Sequence, residues 1–331
     1  MSHARTGARP RPSCVQAGRR CPPVSDTLSD VLNLMRFSGC VYFLRDFAPP
    51  WGMRMPDGPF AQFHMVVRGQ CWLRSKQTQR LLSSGDIVIL PHGTAHELLD
   101  DPATVPVPGP SVLAAHRNGR PLFQDGHGDA PSMRLLCGHF AFDRDFKHPL
   151  AAELPELIHI RDMTGDQPDW FEAATRLLIR ESDADLPGAA TVVDRLAEVL
   201  FIQVLRAHLL QTRPTRGFLA AICDPHLGRA LHKIHAEATR DLTLAEIARA
   251  AGMSRSNLAF RFKTLVGETP ITYLTRWRLL QAQELLRTST RSLPDIAHQV
   301  GYRSQAAFSR AFKRTFAQSP GTYRRTMRPA E

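Results

Sequence analysis

Three groups of side chains in this 331-residue sequence could do chemistry. Gln305, Ala306, Ser309 and Arg310 stand at i, i+1, i+4 and i+5 near the start of a helical pattern, so they share one face. Arginine pairs bidentately with guanine and glutamine with adenine, which makes this face a candidate for reading base edges, Arg310 first and Gln305 next. Arg255, Ser256, Ala259 and Phe260 repeat the spacing fifty residues earlier. There Phe260 either meets thymine methyls and groove shape or turns inward as packing. Further along, Lys263, Lys313 and Arg314 suit phosphate, which sets register without reading sequence, or are solvated surface charge. His64, His92 and His96 form the second group, imidazoles able to ligate a metal. The third is the six cysteines, which show neither CxxC nor zinc-like clustering.

The elements that must position the first group are written twice. Leu244, Ile247, Ala248, Ala251 and Gly252, then Leu258, Phe262 and Lys263, then Pro270 and Tyr273, match Leu293, Ile296, Ala297, Val300 and Gly301, then Phe308, Phe312 and Lys313, then Pro320 and Tyr323. The offset is 49 up to the glycine and 50 after it, so the second copy carries one extra residue in its turn. Each copy is an apolar i, i+3, i+4, i+7 stretch ending at Gly, followed by a second stretch with Arg and Lys interleaved: a duplicated helix-turn-helix. Between them, Pro270 to Arg287 predicts one helix with Ile271, Leu274, Trp277 or Leu279, and Leu285 on an apolar face. About 17 residues of helix span about 25 Å. That is the order of the roughly 34 Å separating successive major grooves on one face of DNA.

These residues carry a resemblance. The segment from about Asp224 to Arg328, through LTLAEIARAAGMSRSNLAFRFKTLVGETP and LPDIAHQVGYRSQAAFSRAFKRTFAQSPGTYRR, resembles the DNA-binding domain of the AraC/XylS family of bacterial transcription regulators. Charge supports it independently. Residues 224–331 hold 18 Lys or Arg against 8 Asp or Glu, residues 1–24 hold five Arg and no acid, and residues 25–223 hold 19 against 23. Basicity concentrated on the repeat is the footprint of a polyanion-binding module.

Upstream, LSDVLNLMRF reads as a helix, and CVYFLRDF, AQFHMVVRG, QCWLRS and DIVILP as short strands of a small β-sandwich or barrel. Gly85, Pro91, Gly93 and His96 follow the second cupin motif, with Asp100 where that motif has Asn. The first motif, HxH followed by Glu, is reduced to His64. A mononuclear site needs three or more protein ligands, so a metal in the cupin pocket is a weak expectation. The other reading makes His92 and His96 polar groups at a strand–turn edge, with the pocket packed or open to an organic effector. Leu28 to Ile160, through LSDVLNLMRFSGCVYF, PPWGM, FHMVVRGQCWL, LLCGHFAFD and HPLAAELPELIHI, is similar to the cupin-like sensor domain that precedes AraC-type modules. That resemblance implies a signal-sensing role, in some members through cysteine. Cys40 and Cys137 lie in the matching stretches, and a solvent-reachable thiol of lowered pKa near Arg45, Arg134 or His139 would sense oxidants; otherwise the cysteines are buried small hydrophobes.

Residues 102–131 read as a Pro- and Gly-rich loop, and residues 212–223 as a linker. Asp169 to Arg180 and Ala189 to Gln211 are amphipathic; Val193, Leu196, Leu200, Val204 and Leu205 form a stripe, widened by Val192, Val199, Ile202 and Leu209, that packs on its own barrel or on a second subunit. Residues 1–24 read as a disordered basic tail or a misassigned start, and no apolar run reaches the length of a secretory signal or a membrane span.

The expectation is an α+β multidomain chain: a tail (1–24), a cupin-like β-barrel sensor domain (25–165), a helical dimerisation segment and linker (166–223), and an all-α double helix-turn-helix (224–328). Its implied role is a cytoplasmic, nucleoid-associated transcription regulator, an activator, working as a homodimer on double-stranded promoter DNA with RNA polymerase and a small-molecule effector or oxidant. The rivals are a metal-dependent cupin enzyme fused to a DNA-binding module and an architectural DNA binder without an effector.

Overall fold

The structure, a computed structural model, describes residues 26–120, 123, 132–142, 148–161, 170–184 and 186–327. The basic tail, most of 121–131 and the last four residues lie outside the described residues. Asp26 caps α1 (Thr27–Met35), its carboxylate accepting from the Ser29 amide at 2.7 Å. Strands β1 (Ser38–Phe47), β2 (Gly52–Met55), β3 (Ala61–Arg68), β4 (Gln70–Ser75), β5 (Gln79–Ser83), β6 (Ile87–Leu90) and β7 (His96–Leu99) follow. Then come β8 (Val107–Pro108), α2 (Gly109–Arg117), β9 (Met133–Ala141), α3 (Pro149–Glu153) and β10 (Ile158–Ile160). The rest is helical: α4 (Trp170–Asp183), α5 (Ala189–Thr212), α6 (Gly217–Cys223), α7 (Pro225–Ala236), α8 (Leu244–Ala251), α9 (Arg255–Val266), α10 (Pro270–Thr288), α11 (Leu293–Gln299), α12 (Gln305–Phe316) and α13 (Pro320–Met327).

The strands form two five-stranded sheets, ordered β1-β9-β3-β6-β10 and β5-β4-β7-β2-β8. Of the sandwich and barrel that the sequence offered, the ladders among the described residues give two separate sheets. Between them lies a core that includes Phe43, Phe47, Trp51, Met53, Leu73, Leu98 and Leu135. The first sheet is also covered on its outer face, where Phe63, Ile89 and Phe140 belong to the same core as Leu200, Phe201 and Val204 of α5. A strand buried on both faces needs no polar alternation. That is why Ala61 to Val66 and Ile87 to Leu90 are apolar runs broken only by Gln62 and His64, all of them buried. Gly39 lets α5 approach β1, since a Cβ there would lie 2.9 Å from Ala197 Cβ and from Asp194 O.

Two segments expected to be irregular are helical. Within 102–131, Pro110 sits in the first turn of α2, where its missing N–H costs nothing, and Val112 anchors the helix in the core. Within 212–223, α6 buries Phe218, Leu219, Ala220 and Ala221. The stripe on α5 packs inward at Val193, Leu200, Val204 and Leu205, leaving Val192, Val199 and Leu210 exposed. On α10, Tyr273, Leu274, Trp277, Leu279, Leu280 and Leu286 are buried, whereas Ile271, expected on the apolar face, points to solvent at 41% exposure.

Candidate nucleic-acid interface

The duplicated frame is reproduced down to its turns. Asp224 caps α7 by accepting from the His226 and Leu227 amides, both at 2.9 Å, and a Thr243–Glu246 capping box starts α8. In the first copy the Gly252 amide donates to Arg249 O and the Met253 amide to Ala248 O; in the second, Gly301 donates to His298 O and Tyr302 to Ala297 O. Both are the paired closure that needs a left-handed residue, and the glycines have φ of +66° and +83°. Ser254 and Ser304 then cap α9 and α12, accepting from Asn257 N at 3.3 Å and Ala307 N at 3.2 Å. The one inserted residue is Arg303, between the second closure and its cap, and it is ion-paired with Asp241. Beneath each reading helix the same ring contact recurs. Phe262 meets Tyr273 at 5.7 Å and Phe312 meets Tyr323 at 5.7 Å, both edge-on.

This frame brings the expected residues to the surface. Arg255, Ser256 and Phe260 on α9, and Gln305, Ala306 and Arg310 on α12, are exposed; Ala259 and Ser309 are half-buried at the helix edge. Phe260 is 72% exposed, so it is not packing in this chain. Leu258, Phe262, Phe308, Phe312 and Phe316 are buried. Lys263, Lys313 and Arg314 are exposed, and like Arg255 and Arg310 they form no salt bridge among the described residues. Other cations are occupied. Arg261 is paired with Asp224, Arg276 with Glu268 at 2.9 Å, and Arg278 donates to Arg240 O at 2.6 Å. A face with unpaired Arg and Lys and an exposed amide side chain can hold phosphate and present donors to base edges.

A cupin family model matches residues 26–210, and a helix-turn-helix domain model matches residues 247–326. A putative AraC-like transcription regulator from Streptomyces lividans is 34% identical over 306 residues, 91% of this chain and 98% of the relative. The chain belongs to the AraC family of transcription regulators. A second relative, the HTH-type transcriptional regulator AlkR of Acinetobacter baylyi, is 32% identical over 90% of this chain and 99% of its own. Among solved structures, the DNA-binding domain of AdpA in complex with a target DNA is 33% identical, covers 31% of this chain and 92% of that chain, and superposes with a TM-score of 0.30.

The N-terminal domain of this AraC-family chain brings together two of its three candidate histidines and does not fit a metal. His64 Nε2 lies 2.7 Å from His96 Nε2, and His64 Nδ1 lies 2.9 Å from Cys137 Sγ. The end of this chain fixes its protons, because Thr94 O can only accept, at 2.8 Å from His96 Nδ1. His96 therefore carries its proton on Nδ1 and accepts at Nε2 from His64 Nε2–H, whose Nδ1 accepts from the Cys137 thiol. Two imidazoles fall short of the three protein ligands that a mononuclear site needs, and Cys137 lies at the other nitrogen of the His64 ring. His92 turns away and donates to Leu154 O at 2.7 Å. Among the described residues no group of three or more His, Cys, Asp or Glu could hold a metal.

Burial, reinforced by the neighbouring His96, holds His64 well below its ordinary range, and burial, reinforced by Cys71, pushes the Cys137 thiol well above its own. Burial also lowers His96, raises Cys40 and lifts Cys71 to about 12. Neither candidate oxidant sensor meets the lowered-pKa condition, although β1 and β9 do pair Cys40 with His139. A thiol kept protonated is a poor nucleophile toward oxidants. Sequence reasoning missed this relay because Cys137 and His64 become neighbours only through the β3–β9 register. No helix among the described residues is long and apolar enough to cross a membrane.

Proposed function

We propose that this chain is a one-component regulator rather than an enzyme, which recognises an asymmetric, bipartite promoter site with two unlike reading helices. The observation that carries this reading is the contrast between equivalent positions on one frame, an exposed Phe260 on α9 and an exposed Arg310 on α12. In it, α12 reads bases through Arg310 and Gln305, with Ala306 and Ser309 flanking. The first copy contributes apolar contact and shape through Phe260, with Arg255, Ser256 and Ala259 beside it. Lys263, Lys313 and Arg314 hold phosphate. The boundaries are a sensor over 25–165, a helical segment over 166–223 and a reader over 224–328.

The effector is a small molecule that binds outside the packed space between the sheets. A groove of about 790 Å³ beside edge strand β1, lined by Cys40, Tyr42, Arg45, His116, Leu186 and Asp194 among others, supports this. Exposed Val192, Val199 and Leu210 on α5 support a homodimer, and recruitment of RNA polymerase in the bacterial cytoplasm completes the role of an activator. Site selection with the purified full-length chain at two salt concentrations tests the reading. A bipartite site whose Arg310-facing half tolerates no substitution is expected; binding without sequence preference at physiological salt would overturn it.

A further inference from the structure

The seam between the N-terminal domain and the helical reader contains a chain of four polar side chains, three of them buried. Two come from the N-terminal domain, Asp30 on α1 and His148 at the cap of α3; two come from the reader, His235 on α7 and Tyr273 on α10. The Leu150 amide donates to His148 Nδ1 at 3.1 Å, so the neutral ring carries its proton on Nε2 and donates it to Tyr273 Oη at 3.0 Å. At the other end the Asp30 carboxylate only accepts, so His235 donates from Nδ1 at 3.1 Å, leaving its Nε2 to accept the Tyr273 hydroxyl proton at 2.8 Å. All the bonds therefore point one way, from the N-terminal domain through the reader and back. Tyr273 is 1% exposed, His148 3% and His235 7%. The His235 ring also lies flat on Trp277 at 3.7 Å. Burial holds both histidines below their ordinary range and the tyrosine above its own, which keeps all three neutral as the chain requires.

A second tie lies along the same connector. Arg36, just past α1, is ion-paired with Glu284 near the far end of α10. Tyr273 and Glu284 are eleven residues apart on that helix, about 16 Å, so α1 runs beside α10 as a splint. The other repeat supplies a contrast: Tyr323 occupies the equivalent frame position, in a copy whose helices pack chiefly on α10 and on one another.

We propose that the Asp30–His235–Tyr273–His148 chain is a latch through which the N-terminal domain holds the α10 connector, and with it the two reading helices, in the DNA-competent arrangement. This rests on the two-helix reading of DNA above and says how the domain that receives the signal governs it. A displacement of α1 or α3 beyond hydrogen-bond reach strands at least one buried donor or acceptor, so the latch is closed or open rather than graded.

Full-length Tyr273→Phe and Tyr323→Phe chains provide a matched test, because each keeps its ring and loses only a hydroxyl. Tyr273→Phe is expected to speed amide exchange in α1, α3 and α7 and to weaken binding to the selected bipartite site on the order of tenfold, while Tyr323→Phe leaves exchange at the seam unchanged. If Tyr273→Phe fails to fold, Asp30→Ala at the more exposed end should give the same pattern, and Asp30→Asn, which still accepts from His235, should restore it. Seam exchange equal to wild type, or wild-type DNA affinity with the latch broken, overturns the proposal. A wild-type chain that selects no site removes the DNA reading instead, and the exchange arm still decides the latch.

Discussion

The two helix-turn-helix copies share a frame and differ in their surroundings. Gly252 and Gly301 close the same turn, Ser254 and Ser304 cap the same helix, and Phe262 on Tyr273 repeats as Phe312 on Tyr323. Yet the first copy is docked, with α6 packed against α9 and Tyr273 bonded across the seam, whereas the second stands on α10 at the end of the chain. The exposed faces of α9 and α12 differ as well, apolar at Phe260 and cationic at Arg310. Duplication preserves what folding requires and leaves solvent-facing positions free, because only buried positions must satisfy packing.

Several experiments would break or sharpen that comparison. The largest effect is expected in the shared core. Phe262→Ala and Phe312→Ala should each cost about 3–5 kcal/mol in denaturant unfolding, and costs that differ by more than half would show that the frames are not energetic equals. The turns should differ next. A Cβ at Gly301 would lie 2.8 Å from Thr239 O, while the nearest atom at Gly252 is the mobile end of Arg229 at 3.4 Å. Gly301→Ala should therefore cost about 2–3 kcal/mol and Gly252→Ala about 1 kcal/mol, the latter from its positive φ alone; equal melting shifts would contradict the asymmetry.

Acid should also separate the copies. His148 and His235 are held below their ordinary 6.5 chiefly by burial; His235 and then Arg276 add to the lowering at His148, and at His235 Asp30 opposes it while His232 adds to it. The folded chain thus binds fewer of these protons than the unfolded chain does. The stability they contribute is complete above 6.5 and is lost as pH falls below it, down to the folded-state values. Amide exchange below 6.5 should rise in α7 and the start of α10 before it rises in α11 to α13. On DNA, Arg310→Ala should cost about 1–3 kcal/mol and relax specificity in its half-site, and Phe260→Ala less than about 1 kcal/mol; titrations against single-base variants of the site distinguish the two. The smallest change is expected at the inserted residue. Arg303 is paired with Asp241 in full solvent, so Arg303→Ala should shift stability by less than about 1 kcal/mol.

Much of the reader was legible in advance because its information is local. Apolar residues at i, i+3, i+4 and i+7, a glycine at the turn and a serine cap each report a neighbour within one or two helical turns. Most of the N-terminal domain was less legible. Four strands appeared as apolar runs, but β2, β5, β7, β8, β9 and β10 did not, and the Pro-rich stretch concealed α2. His64 and His96 stood out as cupin-motif histidines, yet their bonding to each other and to Cys137 depends on strands paired across dozens of residues.

By itself, the sequence determined a duplicated, basic helix-turn-helix with unlike residues at equivalent positions of its two second helices, since period, caps and charge are properties of short segments. The tertiary structure decided that Phe260 is exposed rather than packed, that His64 bonds to both His96 and Cys137, and that Tyr273 and Tyr323, alike in the repeat, sit in different environments. Those outcomes rest on which distant side chains enter the same water-excluded space, where a donor must find its acceptor, and that space exists only once the sheets and helices have packed.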